Sequence, residues 1–553
     1  MSKKLTVLAV IAIIILAACL RLWGSRWGLP DSMHYYSYHP DENMVLGAAR
    51  AVNLFDGQFD PGFYNYGSLY IYMVSFGIVL SAMFGIINLD ATITAAVVRE
   101  LSGMYLAGRM IALFLGLSTV YLVYLIGKRA YGNKIGLLAA LMMAIAPIHV
   151  MHSKFIAVDV PATFFIALTL VFAFRIPQEN HRLRDYALAG LFSGLAAATK
   201  YNACLIMLTP IVAHLATSRS KVVSRILNPR LFTIPVCAVV GFLLGTPGVM
   251  INYPKFTHDF MYEVQHVRTG HGLVFVNTGS GWVYHIVHSL LPGLGLPLLL
   301  LVACGVLYAL KKRTVGDLVL LSFLVIYYLM IGAAQVRFAR YIIPMLPILM
   351  VLGARGVIEF ISYLRSGSRL VGSARFVVVG LLVLICTYSL GVSVALDKLY
   401  AREDTRNRAV AWMRGNIPQG ESIGFATIPW FYTPPFEPTI GALAVASERL
   451  DRAASVTDYT LVVSPDKEWD RDELVKELPD HLILSQFEYE DLQRLKDPNA
   501  AKYFETLDRY YGSPRRFEDG PRLFGRSIPL LGKLPHDMSY ASPTILIYTR
   551  KAG

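Results

Sequence analysis

The segment Tyr38-His39-Pro40-Asp41-Glu42 places two adjacent carboxylic acids directly after a proline, shortly beyond the first apolar run of the chain. Proline is favoured in the first turn of a helix, so this segment predicts a helix from Asp41 toward Phe55. The positive end of the helix dipole favours ionised carboxylates there. Such a carboxylate can act as a general base on a hydroxyl group. The alternative is that Asp41 only caps the helix.

Further charged residues lie near the ends of later apolar runs, and the acid among them is Asp159. Arginine binds phosphate oxygens through paired donors, and lysine binds them as a point charge. A carboxylate base beside such cations suits transfer of a group from a phosphate-linked donor. The cations expected at the donor phosphate are Arg109, Lys200, Arg337 and Arg340.

Other interpretations of these residues stay open. Asp159 could pair with Lys154, Arg109 could be a structural charge of the bundle, and Arg337 and Arg340 could anchor to lipid headgroups.

Three histidines scattered through residues 250–283 are weak evidence for zinc. The five cysteines all fall in apolar runs without metal-ligand spacing. We therefore predict no metal ligand, while an oxygen site for Mg²⁺ or Mn²⁺ built on Asp41, Asp159 and a further acid remains an alternative. The residues expected in an acceptor or sugar pocket are Tyr38, His39, His258 and His266.

Membrane helices must position these side chains. Of the 553 residues, 55% are hydrophobic and only 16% charged, against about 25% charged in soluble domains. The net charge of +13 comes from Lys and Arg in short loops, which is typical of cytoplasmic loops and not of a nucleic-acid-binding face. The apolar runs are 4–22, 69–87, 102–126, 135–149, 160–175, 186–199, 203–216, 231–249, 284–310, 316–334, 341–361 and 375–396.

The basic loops predict a mainly α, polytopic bundle in the cytoplasmic (inner) membrane, with a cytoplasmic N-terminus. If every run crossed, the basic loop after residue 126 would lie outside, so we expect 69–87 to be re-entrant or interfacial and about eleven runs to span. Twelve or more spans with one violation of the charge rule is the alternative. The outer loops would then be 24–68, 149–159, 250–283 and 335–341.

The composition changes near residue 397, where charged residues become frequent. A helix at 406–416 and short β-branched runs at 422–426, 459–464 and 543–548 predict a soluble α/β domain over 397–553. With the topology above, this domain is extracytoplasmic and follows a transmembrane catalytic domain over 1–396.

Several motifs together resemble the GT-C glycosyltransferases, nearest to the branch of protein O-mannosyltransferases and lipid A aminoarabinose transferases. The resemblance covers roughly residues 1–360, beginning with the acidic pair at 41–42. The further motifs are Gly108-Arg109, Ala157-Val158-Asp159-Val160-Pro161, Gly194-Leu195-Ala196-Ala197-Ala198-Thr199-Lys200-Tyr201, and Arg337-Phe338-Ala339-Arg340-Tyr341-Ile342-Ile343-Pro344.

The resemblance implies roles for individual residues. Asp41 would be the catalytic base, while Glu42 and Asp159 would orient the acceptor, the sugar or a metal ion. Lys200, Arg337 and Arg340 would hold the donor phosphate. The chain departs from the aminoarabinose transferases at 64–67, where it has Tyr-Asn-Tyr-Gly in place of their Lys-Pro pair, so their sugar and acceptor do not carry over.

The expected activity is transfer of a hexosyl or pentosyl group from a polyprenyl-phosphate donor to a hydroxyl of a lipid, glycan or protein on the extracytoplasmic side. A metal-dependent enzyme similar to oligosaccharyltransferases is one alternative. A flippase or transporter of lipid-linked sugars is another, although transporters usually place polar residues at mid-membrane within internal repeats.

Overall fold

A computed structural model describes residues 2–53, 56–89, 94–178, 182–217, 222–365, 369–435, 457–464 and 466–552. Helices, most of them apolar, dominate as far as residue 400. They are α1 (Lys3–Leu22), α2 (Pro40–Ala51), α3 (Leu69–Met83), α4 (Thr94–Tyr131), α5 (Asn133–Ala144), α6 (Pro147–His152), α7 (Asp159–Ala173), α8 (Leu183–Ala197), α9 (Leu208–Thr217), α10 (Val222–Ile226), α11 (Pro229–Gly245), α12 (Gly248–Ile251), α13 (Tyr253–Thr269), α14 (Gly281–Tyr284), α15 (Leu291–Leu294), α16 (Leu296–Lys312), α17 (Val315–Ala333), α18 (Leu346–Arg365) and α19 (Arg369–Tyr400).

Each apolar run predicted from the sequence is helical. Among the described residues, six helices are long and apolar enough to cross a bilayer, or seven if Gly281–Leu294 and Leu296–Lys312, bent by 118°, form one span. Shorter apolar helices lie at Leu69–Met83, Asn133–Ala144, Asp159–Ala173 and Tyr201–Ala216. The chain is thus a multi-pass membrane protein, and the count of eleven spans stays a prediction.

Helix α3 has 15 residues, which at 1.5 Å per residue gives about 22 Å, less than the roughly 30 Å of a hydrocarbon core. This length does not distinguish α3 from α7, which also has 15 residues, so the re-entrant or interfacial placement of 69–87 stays a prediction. The side of the membrane on which each loop lies also remains a prediction.

The C-terminal part contains a five-stranded sheet in the order β2-β1-β3-β7-β4. Its strands are β1 (Ser422–Phe425), β2 (Thr460–Val462), β3 (His481–Ser485), β4 (Arg515–Phe517) and β7 (Ile545–Thr549), and a separate hairpin pairs β5 (Arg522–Leu523) with β6 (Arg526–Ser527). Strand β1 runs parallel to β2 and β3, whereas β7 is antiparallel to β3 and β4. The helices are α20 (Thr405–Asn416), α21 (Arg471–Glu477), α22 (Gln486–Leu495) and α23 (Pro498–Tyr510).

Alternation along the strands buries both faces of this sheet. Ile483, Ile545 and Ile547 pack with α20 on one face, while Leu482 and Leu484 belong to the cluster on the other face. This period of two is the expected pattern for strands covered on both sides. The predicted helix at 406–416 and the three predicted strands are confirmed.

The C-terminal part packs directly on the helix bundle. The largest apolar cluster joins membrane-helix residues to Phe431, Met538 and Tyr540. The Trp27 indole donates a hydrogen bond to Asp404 Oδ2 at 3.0 Å, and the Thr405 hydroxyl donates to the Pro543 carbonyl at 2.6 Å. Helix α19 continues through the expected domain boundary at 397 as far as residue 400.

Candidate active site

Breaks between helices bring the predicted charged residues to one place. Asp41 lies in the first turn of α2, which begins at Pro40 as the sequence predicts. Asp159 is the first residue of α7, and Lys200 precedes a 3₁₀ segment, Tyr201–Met207. Arg340 lies in a second 3₁₀ segment, Ala339–Met345, ahead of α18.

Arg340 is the centre of this cluster because its guanidinium faces several carboxylates. Its Nη2 lies 3.0 Å from Asp41 Oδ2, and its Nε lies 3.6 Å from Asp159 Oδ2. The other oxygen of Asp159 accepts a hydrogen bond from the Lys200 ammonium at 2.6 Å. Four residues separated by up to 299 positions in the chain therefore form one continuous charged group.

This charged group faces a cavity of about 960 Å³. The cavity wall is mostly apolar and aromatic, with the ionisable groups gathered within it. Arg340, Lys200 and Asp159 are buried, whereas the Asp41 carboxyl keeps 19% of its side chain exposed. The predicted site residues that line the cavity are Tyr38, Asp41, Asp159, Lys200, His266 and Arg340.

The surroundings of Asp41 favour its ionised form. Burial by itself raises the pKa of Asp41, but the charge of Arg340, with smaller contributions from His39, His152 and Lys200, outweighs burial and holds the pKa below its ordinary value. The carboxylate is therefore negatively charged at neutral pH. Any group that drew Arg340 away would raise this pKa and make Asp41 a stronger base.

Asp537, in the C-terminal part, is a member of the cluster that the sequence analysis missed. Its carboxylate accepts hydrogen bonds from the backbone N–H groups of Ala339 and Arg340, at 2.9 and 3.0 Å, and lies 3.5 Å from Arg340 Nη1. The same charge of Arg340 overcomes burial and lowers the pKa of Asp537. Asp537 thus fixes both the backbone and the side chain of Arg340, and three carboxylates surround that one guanidinium.

The C-terminal part also supplies one wall of the cavity through its aromatic residues. These are Trp430, Phe431, Tyr432, Phe487 and Tyr540. Tyr38 joins this wall: its hydroxyl donates to Asn407 Oδ1, and its ring centroid lies 3.7 Å from the Arg406 guanidinium carbon. The site is therefore built from both parts of the chain.

Glu42 and Arg109 do not line the cavity, because they pair with each other. Arg109 donates from Nε and Nη2 to the two Glu42 oxygens at 2.8 and 2.6 Å, and both side chains are fully buried. Glu42 also accepts from the Ile156 N–H and the Ser37 hydroxyl, and Arg109 donates to the carbonyls of Ser25 and Trp27. The pair joins α2 and α4 to two loops directly behind Asp41.

Three further predicted residues also lie away from the cavity. The Arg337 guanidinium donates to Thr278 Oγ1 and to the Gly279 carbonyl, so it is occupied by that loop. His258 is largely exposed and contacts Asp259. His39 is buried between the rings of Phe155 and Tyr540, and burial lowers its pKa.

The alternative pairing of Asp159 with Lys154 is wrong. The Lys154 ammonium lies 2.8 Å from Asp397 Oδ1 and donates to the Leu20 carbonyl. Asp159 instead pairs with Lys200 and Arg340 at the cavity.

The donor set around Asp41 does not fit a resident metal ion. Across the described residues, no group of three or more His, Cys, Asp or Glu side chains is arranged to hold one. Asp41 and Asp159 instead direct their oxygens at Arg340 and Lys200.

Comparison with known proteins finds one matching family model. Residues 92–244 match the family model described as dolichyl-phosphate-mannose-protein mannosyltransferase, a segment that contains Arg109, Asp159 and Lys200. No curated protein matches the sequence.

Among solved structures, ArnT from Cupriavidus metallidurans in the apo state aligns at 16% identity over 89% of this chain and 95% of ArnT, with a TM-score of 0.50. The oligosaccharyltransferase of Archaeoglobus fulgidus in the apo form aligns at 12% identity over 98% of this chain and 77% of that protein, with a TM-score of 0.49. The resemblance to the GT-C membrane glycosyltransferases is confirmed, by the family match over part of the chain and by the fold shared with ArnT.

Proposed function

We propose that this protein transfers a sugar from a polyprenyl-phosphate donor to an acceptor hydroxyl, on the extracytoplasmic side of the membrane. The observation that carries the proposal is the Asp41–Arg340 pair, 3.0 Å apart, at a largely apolar cavity. Such a reaction needs a base for the acceptor hydroxyl and a cation for the donor phosphate close to each other in one site. The matched family model, whose description names a dolichyl-phosphate sugar donor, supports this donor class.

In the proposed reaction Asp41 removes the proton of the acceptor hydroxyl, and the oxygen attacks the anomeric carbon of the donor sugar. The bond between that carbon and the phosphate oxygen breaks, and the polyprenyl phosphate leaves with the electron pair. Arg340 and Lys200 neutralise the charge that develops on the phosphate, a stabilisation that is strong in a site with little water.

Arg340 links donor binding to the strength of the base. Without donor, its charge is compensated by Asp41, Asp159 and Asp537. A donor phosphate would compete with Asp41 for the guanidinium, and the weakened ion pair would raise the pKa of Asp41. The base would therefore become stronger when the donor is in place.

Among the remaining predicted residues, Glu42, Arg109, Arg337 and His39 receive positioning roles in this proposal. The buried Glu42–Arg109 pair holds the start of α2 and hence Asp41, while Arg337 holds the loop that contains Thr278. His266 and Tyr38 line the cavity and are assigned to the sugar or the acceptor. His39 supports Tyr540, and His258 has no role in the reaction.

The test is a transfer assay with the purified full-length protein in proteoliposomes. Synthetic polyprenyl-phosphate donors with different radiolabelled sugars are supplied together with an envelope extract as the acceptor. Labelled lipid, glycan or protein that forms with the wild type, and not with Asp41→Asn, supports the proposal. Failure of every polyprenyl-phosphate donor, with a pyrophosphate-linked donor active instead, would contradict it.

A further inference from the structure

The hairpin of β5 and β6 and the loop after it carry exposed apolar side chains in an otherwise polar region. Phe524 is 92% exposed and Leu530 is 61% exposed. Among the described residues beyond 400, these are the large hydrophobic side chains with high exposure. Exposed apolar side chains that form a common surface patch mark sites of contact with a partner or a membrane.

The backbone conformation at the hairpin tip is unfavourable for a phenylalanine at position 524. Phe524 has φ +50° and Gly525 has φ +80°, and these two residues form the turn that is closed by the pair Leu523↔Arg526. A two-residue turn with positive φ at both positions favours Asn, Asp or Gly at the first of them. A phenylalanine in the left-handed region carries a conformational cost, and an exposed ring recovers none of it within the protein.

The hairpin lies against helix α19, which is a candidate membrane span. A Cβ added to Gly391 would lie 3.3 Å from Leu523 Cδ2, and the Tyr388 hydroxyl donates to the Pro529 carbonyl at 2.7 Å. On the same helix, exposed apolar side chains precede these contacts, and the last of them is Leu384, which is 66% exposed. Phe524 and Leu530 therefore extend the apolar surface of the span.

The depth of the hairpin can be placed along α19. Lys398 is an exposed charged residue near the end of this helix, seven residues beyond Gly391. At 1.5 Å per residue the contact at Gly391 lies about 10 Å below that charge. Amphipathic segments at the membrane interface bury their apolar face to a similar depth, roughly 5–10 Å.

The charges around the apolar tip have the sign that lipid phosphates attract. Residues 520–533 include Arg522, Arg526 and Lys533 and no acidic residue. Arg522 and Arg526 are exposed, while Lys533 pairs with Glu490. Apolar side chains flanked by cations are the usual composition of an interfacial membrane anchor.

We propose that residues 522–530 anchor the C-terminal domain to the membrane surface at the end of α19. Phe524 and Leu530 insert among the lipid chains, and Arg522 and Arg526 bind anionic lipid headgroups. Leu531, immediately after the anchor, is buried in the main apolar cluster, and Asp537 follows six residues later. The anchor therefore fixes the segment that delivers Asp537 to Arg340.

The experiment measures the depth of residue 524 in the full-length protein. The five native cysteines are replaced by serine or alanine, and Phe524→Cys is labelled with an environment-sensitive fluorophore. The protein is placed in vesicles of phosphatidylcholine and phosphatidylglycerol with or without spin-labelled lipids, which quench at short range. The control is Arg414→Cys, exposed near the end of α20 remote from Thr405.

Quenching at position 524 should exceed that at 414 by about twofold or more, with a blue-shifted emission. Equal quenching at the two positions, in variants that melt like the unlabelled protein, overturns the proposal. Changing Arg522 and Arg526 together to Gln should reduce the quenching at 524 by about half in vesicles with phosphatidylglycerol. Unchanged quenching in that variant overturns the headgroup contact.

Discussion

Asp41 and Glu42 are neighbours in the first turn of α2, and changing each to its amide separates catalysis from structure. Asp41→Asn keeps the shape of the side chain and removes the base. Because Asp41 is partly exposed and Arg340 retains Asp159 and Asp537, this change leaves no buried charge uncompensated. Glu42→Gln acts on a carboxylate with no exposure, whose partner Arg109 then keeps an unbalanced charge.

The magnitudes follow from these contacts. Loss of a general base lowers the rate about 10²–10⁴-fold, equivalent to about 2.7–5.5 kcal/mol in the activation free energy. Breaking a buried ion pair lowers the free energy of unfolding by about 3–5 kcal/mol. We expect Asp41→Asn to lower kcat at least about 100-fold with a nearly unchanged melting temperature. In Glu42→Gln we expect the main effect to be a lower melting temperature and less folded protein. Since Asp41 competes for Arg340, donor KM should not rise in Asp41→Asn.

The assay pairs the labelled-donor transfer reaction with thermal unfolding of the same purified samples. Rates are expressed per folded protein, so that instability is not counted as lost catalysis. A kcat for Asp41→Asn within about tenfold of the wild type would refute the base assignment. Loss of turnover in Glu42→Gln at an unchanged melting temperature would refute the structural role of the pair.

Other consequences concern the cations, the third carboxylate and metal dependence. Arg340→Ala should raise donor KM about 10–100-fold, because a hydrogen bond to a charged group contributes about 1.5–3 kcal/mol, and steady-state kinetics should find a smaller change for Arg337→Ala. The acidic limb of kcat/KM against pH should move to higher pH in Arg340→Ala, since Arg340 leads the charges that lower the pKa of Asp41; an unmoved limb would contradict this. Asp537→Asn should lower the melting temperature. Because the pKa of Asp537 is depressed in the folded state, the difference in melting temperature from the wild type should be complete at pH values above the ordinary pKa of an aspartate and should disappear as the pH falls below about 4. A difference in melting temperature that persists in acid would exclude the ion pair as its cause. Chelation by EDTA should leave transfer unchanged, since the oxygens of Asp41 already face Arg340, whereas loss of activity restored by Mn²⁺ would favour the metal-dependent alternative.

The membrane architecture and four of the five cluster residues followed from local patterns. Hydrophobic runs must be helical where no water is available to their backbone groups, so each run could be recognised without its neighbours. Pro40 fixed the start of α2 for an equally local reason, its preference for the first turn. Asp41, Asp159, Lys200 and Arg340 could be grouped because charges at the ends of apolar runs collect at one face of a membrane bundle.

The tertiary structure decided which of the charged side chains at that face of the bundle bind one another. Arg337 and Arg340 are three residues apart in one loop, yet one binds the Thr278 loop and the other Asp41, because the 3₁₀ segment begins between them at Ala339. Similarly, adjacent acids separate because α2 turns Glu42 inward to Arg109 and Asp41 toward the cavity. Sequence spacing alone does not give these directions.

By itself, the sequence determined that this is a multi-pass membrane protein with an acidic and basic cluster at the ends of its helices and an α/β region after them, since composition, periodicity and turn signals act over a few residues. Only the tertiary structure decided that Asp537 completes the cluster, because its contact with Arg340 spans 197 positions and Pro535-His536-Asp537 has no pattern of its own. The physical reason is that a buried charge takes its role from the partners that packing brings to it, and those partners come from distant parts of the chain.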